Sequence, residues 1–311
     1  GIDADACSSR KGLLGLINRL IAEIDTTVSN QLAHVYQHPK FLALESLWNG
    51  LFVVADLPVS SRRTGVKLLD ISATEISDDL GGAIGVERTE LYNLIANREF
   101  NTLGGKPYGM ILVGQRVSIE PENPSIEIDL NVARMLTELA AATLSPVIFS
   151  PAESFFGESD ARWLSDRERM ERLLSSSYYQ KWRSFRGHWA ARFAGVVMPS
   201  FRFRPPYLNH RSGVIFSQPD PNHSGLCCSA VFMFAATVIR EFSRTSWFGF
   251  LRGVWRDRYQ GAVVNLGPHI PGSARLTWPH PKYCFSKEIA EFYNSWGFIA
   301  AAQDTISRKV V

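Results

Sequence analysis

The chain has 311 residues, of which 45% are apolar and 12% aromatic, so it can bury a sizeable core in one large domain or two ordinary ones. Lysine and arginine exceed aspartate and glutamate by only 33 to 30, which indicates neither nucleic acid nor an anionic membrane surface as a partner. No apolar run approaches the roughly 20 residues that span a bilayer, so the sequence predicts no membrane insertion.

The first hundred residues begin with two predicted helices. Apolar residues recur at spacings of three and four over residues 13–35, which predicts a long amphipathic helix that ends near His38, because Pro39 disfavours the helical conformation at the residue before it. A second helix covers residues 41–51. A turn-rich stretch then leads to a predicted strand at residues 66–71 and a helix at residues 87–98.

Strands and helices alternate through the rest of the chain. We predict strands at residues 108–113, 147–149, 193–203, 248–254 and 298–302, and helices at residues 126–142, 226–242 and 287–296. This alternation is typical of an α/β architecture in which helices cover a mixed, largely parallel sheet. We expect an N-terminal helical segment (1–56) and two α/β subdomains (57–150 and 151–311).

Few residues suggest a metal or nucleotide site. Gly104-Gly105-Lys106-Pro107 does not fit the phosphate-binding P-loop, and no glycine cluster has the order of a dinucleotide-binding turn. His210, His223, Cys227 and Cys228 lie near one another in sequence, but their separations match no familiar zinc pattern. We therefore expect no cofactor, and interpret the two cysteines as small buried residues at the start of a helix.

The remaining candidate for catalysis is an acidic loop, Glu153, Glu158 and Asp160, which is more typical of a solvated surface than of paired catalytic carboxylates. No serine or cysteine nucleophile motif is present. The four cysteines lack a CxxC spacing, which favours a reducing cytoplasm. We predict that the protein is not an enzyme.

A basic aromatic element occupies residues 182–186, with the sequence WRSFR. Such a segment could stack against nucleic acid bases, but tryptophan and arginine are equally typical of protein interfaces and of packed helices. We predict that Trp182, Arg183, Phe185 and Arg186 are structural or interfacial. We also predict that replacing Trp182 with alanine lowers soluble yield or assembly.

Several segments, taken in order, resemble one protein family. Residues 38–51, HPKFLALESLWNGL, resemble the HPxFxxLExxWRGL segment of the large sheath subunit of type VI secretion systems, the TssC or VipB family. Residues 99–109 are similar to its EFGTxGGEPFG element and residues 182–186 to its WRxFR. Residues 192–207, RFAGVVMPSFRFRPPY, are similar to RYVGLxxPRxLLRxPY.

Two later matches complete the resemblance. Residues 251–254, LRGV, are similar to the IRGVEGGG element, although residues 255–258 replace its glycines, and residues 291–305 resemble ELxxxGFxPLxxxKxT. Position 49 also departs, with asparagine where the family has arginine. The resemblance implies that this chain is a fragment, because the family continues for over a hundred residues beyond it.

The resemblance implies a fold and a role. In this family the subunit has the contractile-sheath α/β fold, pairs with a small sheath subunit (TssB or VipA) and stacks with further copies into a helical tube. That tube surrounds and propels an inner tube of Hcp, is attached to a baseplate in the bacterial cytoplasm, and is dismantled by the ATPase ClpV. The structural or interface positions that the motifs imply are Trp48, Gly104, Gly105, Pro107, Trp182, Arg183, Phe185, Arg186, Arg252 and Gly253.

Two alternatives remain open at this point. One is a sheath protein of a phage tail or related contractile injection system, which shares the core architecture but does not require a small partner. The other is an α/β enzyme with an unrecognised site around His210, His223 and Cys227, which would need a cleft with convergent polar groups.

Overall fold

A computed structural model describes residues 9–60, 64–157, 161–207, 210–211, 215–216, 225–247, 279–303 and 310. The helices are α1 (Arg10–Tyr36), α2 (Pro39–Ala55), α3 (Ala73–Gly81), α4 (Glu90–Tyr92, which continues as a wider π-helix over Asn93–Phe100), α5 (Leu130–Thr143), α6 (Ala161–Leu164), α7 (Arg167–Ser175), α8 (Gln180–Gly187), α9 (Ala230–Thr245) and α10 (Lys287–Ser295). The strands are β1 (Ile111–Val117), β2 (Glu127–Ile128), β3 (Val147–Pro151), β4 (Ala194–Met198), β5 (Phe201–Arg204), β6 (His210–Arg211), β7 (Ile215–Phe216), β8 (Leu226–Cys228), β9 (His280–Pro281) and β10 (Ile299–Ala300).

The packing divides the chain into two units. The smaller comprises Gly1–Ser46 and Arg202–Cys227, and the larger comprises Leu47–Phe201 and Cys228–Val311. Each is therefore built from two separate stretches of sequence. The proposed segmentation at residues 56/57 and 150/151 stays a prediction.

The larger unit is built on a five-stranded parallel sheet in the order β10-β4-β3-β1-β2. Every residue of the central strand β3 is buried, and Val147 and Phe149 point into one core cluster with Leu136 and Leu139 of α5. Helix α9 packs against β1, β3 and β4, and its buried residues do not belong to that cluster. Helices therefore cover both faces, which confirms the predicted helix-covered, largely parallel α/β class.

The helix starts follow local side-chain chemistry. Ser72 accepts a hydrogen bond from the backbone amide of Glu75, whose carboxylate accepts one from the amide of Ser72, so α3 begins with a complete capping box. Asp129 caps α5 through the amide of Val132 at 2.7 Å. These caps fix the residue at which each helix begins after the preceding strand or loop.

Two tyrosines in the core of the larger unit hydrogen bond to backbone carbonyls. The Tyr179 hydroxyl donates to the Phe155 carbonyl at 2.6 Å, and the Tyr293 hydroxyl donates to the Leu164 carbonyl at 2.7 Å. Burial raises the pKa of both hydroxyls well above the ordinary tyrosine value. Both side chains are therefore neutral hydrogen-bond donors within an otherwise apolar cluster.

Several predicted elements differ from those observed. Residues 66–71, predicted as a strand, pair with no strand among the described residues. The predicted strand at 193–203 is two strands, β4 and β5, because Pro199 between them has no amide to donate to a sheet. Cys227 and Cys228 lie in strand β8 and not at the start of a helix, because the cap residue Ser229 follows them.

No helix within the described parts of the chain is both long and apolar enough to cross a bilayer.

The predicted strand at 248–254 lies outside the described residues. Helices α6, α7 and α8 were not predicted, since their short apolar repeats give little periodic signal.

Candidate functional site

The residues considered for metal binding do not form a cluster in the parts of the chain that can be described. There, no three histidine, cysteine, aspartate or glutamate side chains come close enough to hold a metal ion. Cys228 is buried and Cys227 half-buried in β8. His210 lies in β6, and His223 is outside the described residues.

Glu153 lies beside two cations at the end of β3. Its carboxylate is 3.6 Å from an Arg116 guanidinium nitrogen and 3.1 Å from the Lys282 ammonium. These contacts stabilise the charged carboxylate, whereas a catalytic pair would bring a second acid close to it. Glu158 and Asp160 lie outside the described residues.

The aromatic residues of the WRSFR element lie in the core. Trp182 is fully buried, and its indole stacks on Phe298 with ring centres 4.5 Å apart. Its Nε1–H donates to the Trp296 carbonyl at 3.1 Å. Phe185 is also buried and contacts Trp182. This aromatic pair therefore joins α8 to the turn that follows α10.

The two arginines of this element hydrogen bond to backbone carbonyls. Arg183 donates to the carbonyls of Leu174 and Ser176, at 2.6 and 2.8 Å, which satisfies acceptors left open at the end of α7. Arg186 donates to the Ala194 carbonyl at 3.0 Å, where β4 begins. Burial lowers the pKa of Arg186 from its ordinary value. Both side chains thus connect α8 to neighbouring elements.

A glycine loop connects α4 and its π-helical continuation to β1. Gly104 has a φ of +83°, a conformation that favours glycine. A Cβ atom at Gly105 would collide with the backbone carbonyl group of Glu99 and would lie tightly against the carbonyl oxygen of Thr102. The Glu99 carboxylate in turn accepts a hydrogen bond from the Lys106 amide at 3.0 Å and pairs with Lys67. Pro107 is exposed at the end of this loop.

We expect Gly105→Ala to destabilise the larger unit by about 2 kcal/mol, because the new methyl group meets backbone atoms that cannot rotate away. Gly104→Ala should cost about 1 kcal/mol, since its surroundings are open and only the positive φ opposes a side chain. Gly109→Ala is the matched control, with open space and an ordinary φ. Chemical denaturation followed by circular dichroism measures all three, and equal stabilities would contradict this explanation of the loop.

Two helices present apolar side chains to solvent. Trp48 and Phe52 lie one turn apart on α2, and about two thirds of each side chain is exposed. On α1, Leu13, Ile17, Leu20, Ile21 and Ile24 are between 42% and 60% exposed. Exposed apolar side chains grouped along one helix in this way are typical of sites of protein–protein contact.

The smaller unit contains an ion pair that the sequence did not reveal. Arg204 Nε and a terminal guanidinium nitrogen lie 2.7 and 2.9 Å from the two Glu45 carboxylate oxygens. The Arg204 guanidinium also lies 4.4 Å from the centre of the Tyr207 ring. Both partners belong to segments that resembled a family motif, but they lie 159 positions apart, so only an alignment showing coupled variation could have paired them.

The predicted positions therefore do not form one site. Trp182, Arg183, Phe185 and Arg186 connect elements within the larger unit, the glycine loop lies at its surface, and Trp48 faces solvent. Arg252 and Gly253 lie outside the described residues. Assignment of these positions as structural or interfacial stays a prediction.

Comparisons with known proteins identify relatives of the chain. The family model described as EvpB/VC_A0108, tail sheath N-terminal domain (VipB), matches residues 18–303. The type VI secretion system sheath protein TssC1 of Pseudomonas aeruginosa is 24% identical over 272 residues, which cover 85% of this chain and 53% of TssC1. The chain thus spans about half the length of this curated relative.

Proposed function

Because the chain belongs to the VipB tail sheath family, whose N-terminal domain it matches, we propose that it is a structural subunit of a type VI secretion contractile sheath. The observation that carries this proposal is the family match over residues 18–303. The similarity to TssC1 supports the same assignment over 85% of the chain. The role is mechanical, and it requires no catalytic site.

The exposed apolar faces of α1 and α2 support an assembling role. A monomer that keeps Trp48, Phe52 and the Leu13–Ile24 face in water gains stability when a partner covers them. The partner would be a small sheath subunit, and further copies of the pair would stack into a helical tube. Such a tube contracts when each subunit changes between two packings of similar free energy. The small free-energy difference per subunit then adds up over many copies.

The proposal extends to the other components of the system. The tube would enclose Hcp, drive it and its effectors into a target cell, stand on a baseplate in the bacterial cytoplasm, and be dismantled by ClpV. These partners follow from the family resemblance. A phage-type sheath would instead form a tube without a small subunit.

Coexpression of the protein with the small sheath subunit from the same organism tests the proposal. We expect a stable complex in size-exclusion chromatography and tubules in electron micrographs. The protein expressed alone is the control and should form no tubules. If neither a complex nor tubules form, the sheath assignment is wrong, and tubules of the protein alone would favour the phage-type alternative.

A further inference from the structure

A pocket of the larger unit lies between the ends of two helices, α8 and α10. It has a volume of about 470 Å³ and opens to solvent. Helix α8 contributes Arg183 and Arg186 to its lining, and the end of α10 with the turn that follows contributes Asn294, Ser295 and Gly297. No aspartate or glutamate among the described residues lines it. We call it the arginine pocket.

Each arginine uses only one guanidinium nitrogen for hydrogen bonds within the protein. The bonds from Arg183 to the end of α7 and from Arg186 to the start of β4 all come from one terminal nitrogen of the side chain. The other two nitrogens of each guanidinium have no partner in the part of the chain that the structure describes. None of them is buried away from solvent. Both groups can therefore donate further hydrogen bonds to a molecule in the pocket.

Neither guanidinium has a carboxylate partner within the described ranges. Both are absent from the ion pairs found there. The local sequence gives a reason, because residues 172–201 contain five lysines and arginines but no aspartate or glutamate. Burial lowers the pKa of Arg186, as expected for a cation that has lost part of its water. A partly buried cation without a counter-charge is stabilised when an anion binds beside it.

The position of Arg186 depends on a glycine. Gly297 has a φ of +90°, and a Cβ atom at this residue would collide with Arg186 Nε. The Arg186 side chain therefore lies against the bare backbone of the turn, and its bond to the Ala194 carbonyl holds it there. Arg183 is held by its own two carbonyl bonds. Because both guanidinium groups are already ordered, an anion that binds them costs little side-chain entropy.

A phosphate group fits two such guanidinium groups better than a carboxylate does. A guanidinium is a planar fork of donors, and the two oxygens of a carboxylate are satisfied by one fork. A phosphate ester has three free oxygens and nearly two negative charges near pH 7, so it can accept from both forks. The last turns of α8 and α10 add partial negative charge, which is smaller than the two full positive charges. We propose that the arginine pocket binds the phosphate group of inorganic phosphate or of a small phosphate ester.

The remaining lining residues leave room for the rest of an ester. A volume of about 470 Å³ lies within the range of about 300–1,000 Å³ that is usual for small-molecule sites. Trp296 is partly exposed and lines the pocket, so it offers apolar surface. The side-chain oxygen of Asn294 accepts from the Ala300 amide at 3.3 Å, and its NH₂ group has no partner among the described residues. This amide can donate to a further oxygen of the ligand.

Isothermal titration calorimetry of the purified protein at constant ionic strength tests the proposal with three probes. Inorganic phosphate supplies the phosphate group alone, phenyl phosphate adds an aromatic ring, and benzoate carries the same ring on a carboxylate. We expect phenyl phosphate to bind with one-to-one stoichiometry and at least about tenfold more tightly than benzoate, because a carboxylate leaves one fork unused. Tighter binding of phenyl phosphate than of inorganic phosphate would assign an ester as the ligand, and equal binding would assign the free ion.

Two substitutions test the location of the site. Arg186→Gln removes one fork and should weaken the binding of phenyl phosphate by about tenfold or more. Asn294→Asp places a negative charge in the pocket with almost no change of shape and should weaken it by about tenfold. Arg192→Gln is the matched control, because it removes an exposed cation that does not line the pocket, and it should bind within about twofold of the original protein.

The melting temperature of each variant without ligand separates lost binding from lost folding. Asn294 is exposed, so Asn294→Asp should leave the protein folded and keeps the test decisive if Arg186→Gln unfolds. Failure of both phosphate probes to bind the original protein would overturn the inference. Equal binding of benzoate and phenyl phosphate, or unchanged binding in folded Asn294→Asp, would also overturn it. None of these outcomes bears on the sheath role, which coexpression tests separately.

Discussion

Replacing Trp182 with alanine should lower the free energy of unfolding by about 3–5 kcal/mol, the usual cost of truncating a fully buried aromatic side chain. The change removes the stack on Phe298 and the hydrogen bond to the Trp296 carbonyl. That carbonyl would lose its indole donor. Urea denaturation followed by circular dichroism measures the loss, and soluble yield on coexpression should fall with it.

Trp189→Ala provides a control with the same residue type. Trp189 lies seven positions after Trp182 but is mostly exposed, so its removal should change stability by less than about 0.5 kcal/mol. Trp182→Phe should give an intermediate loss, because it keeps much of the ring contact and loses the indole donor. Similar stabilities for the two alanine variants would show that residue 182 does not anchor the core.

Long periodic segments made much of the larger unit predictable. Residues 126–142 carry a clear helical repeat, and the helix observed, α5, follows a capping aspartate, Asp129. The apolar run at residues 147–149 is β3, the central strand, which is buried on both faces. Where local pattern and tertiary burial agree in this way, the sequence is sufficient.

Residues 66–71 show where local pattern is insufficient. Their composition favours a strand, but a strand also needs a neighbour, and the position of a neighbour is a property of the whole fold or of an assembly. Residues 226–228 show the converse. Their apolar character continues into α9 without a break, and only the cap at Ser229 separates a short strand from the helix.

The candidate site was predictable as residues but not as geometry. The resemblance drew attention to residues 182–186, but it could not show that Trp182 is buried while the arginines bond to carbonyls of α7 and β4. Tryptophan and arginine have the same sequence signature in a core and at an interface. The burial of these side chains distinguishes a core position from an interface position. That burial depends on residues more than a hundred positions away in the sequence, such as Phe298.

Breaking the Glu45–Arg204 ion pair is the second change from which we expect a large loss of stability. Both side chains are more than four fifths buried, so Glu45→Ala or Arg204→Ala alone should each cost about 3 kcal/mol by removing the opposite charge of the ion pair. The double variant should cost less than the sum of the two, with a coupling energy of about 2 kcal/mol. Chemical denaturation of the four proteins gives this energy.

The exposed pair Lys287–Glu291, separated by 3.9 Å on α10, is the control for this cycle and should show little coupling, because water screens both charges. The pair Glu45–Arg204 connects α2, the second helix of the chain, to the end of β5. Glu45→Leu with Arg204→Met should therefore recover much of the stability, since apolar side chains of similar length can fill the same space. Additive losses in the cycle would mean that Glu45 and Arg204 each stabilise the protein through other contacts. The resemblance of residues 38–51 and 192–207 to the family motifs would then need an explanation other than this ion pair.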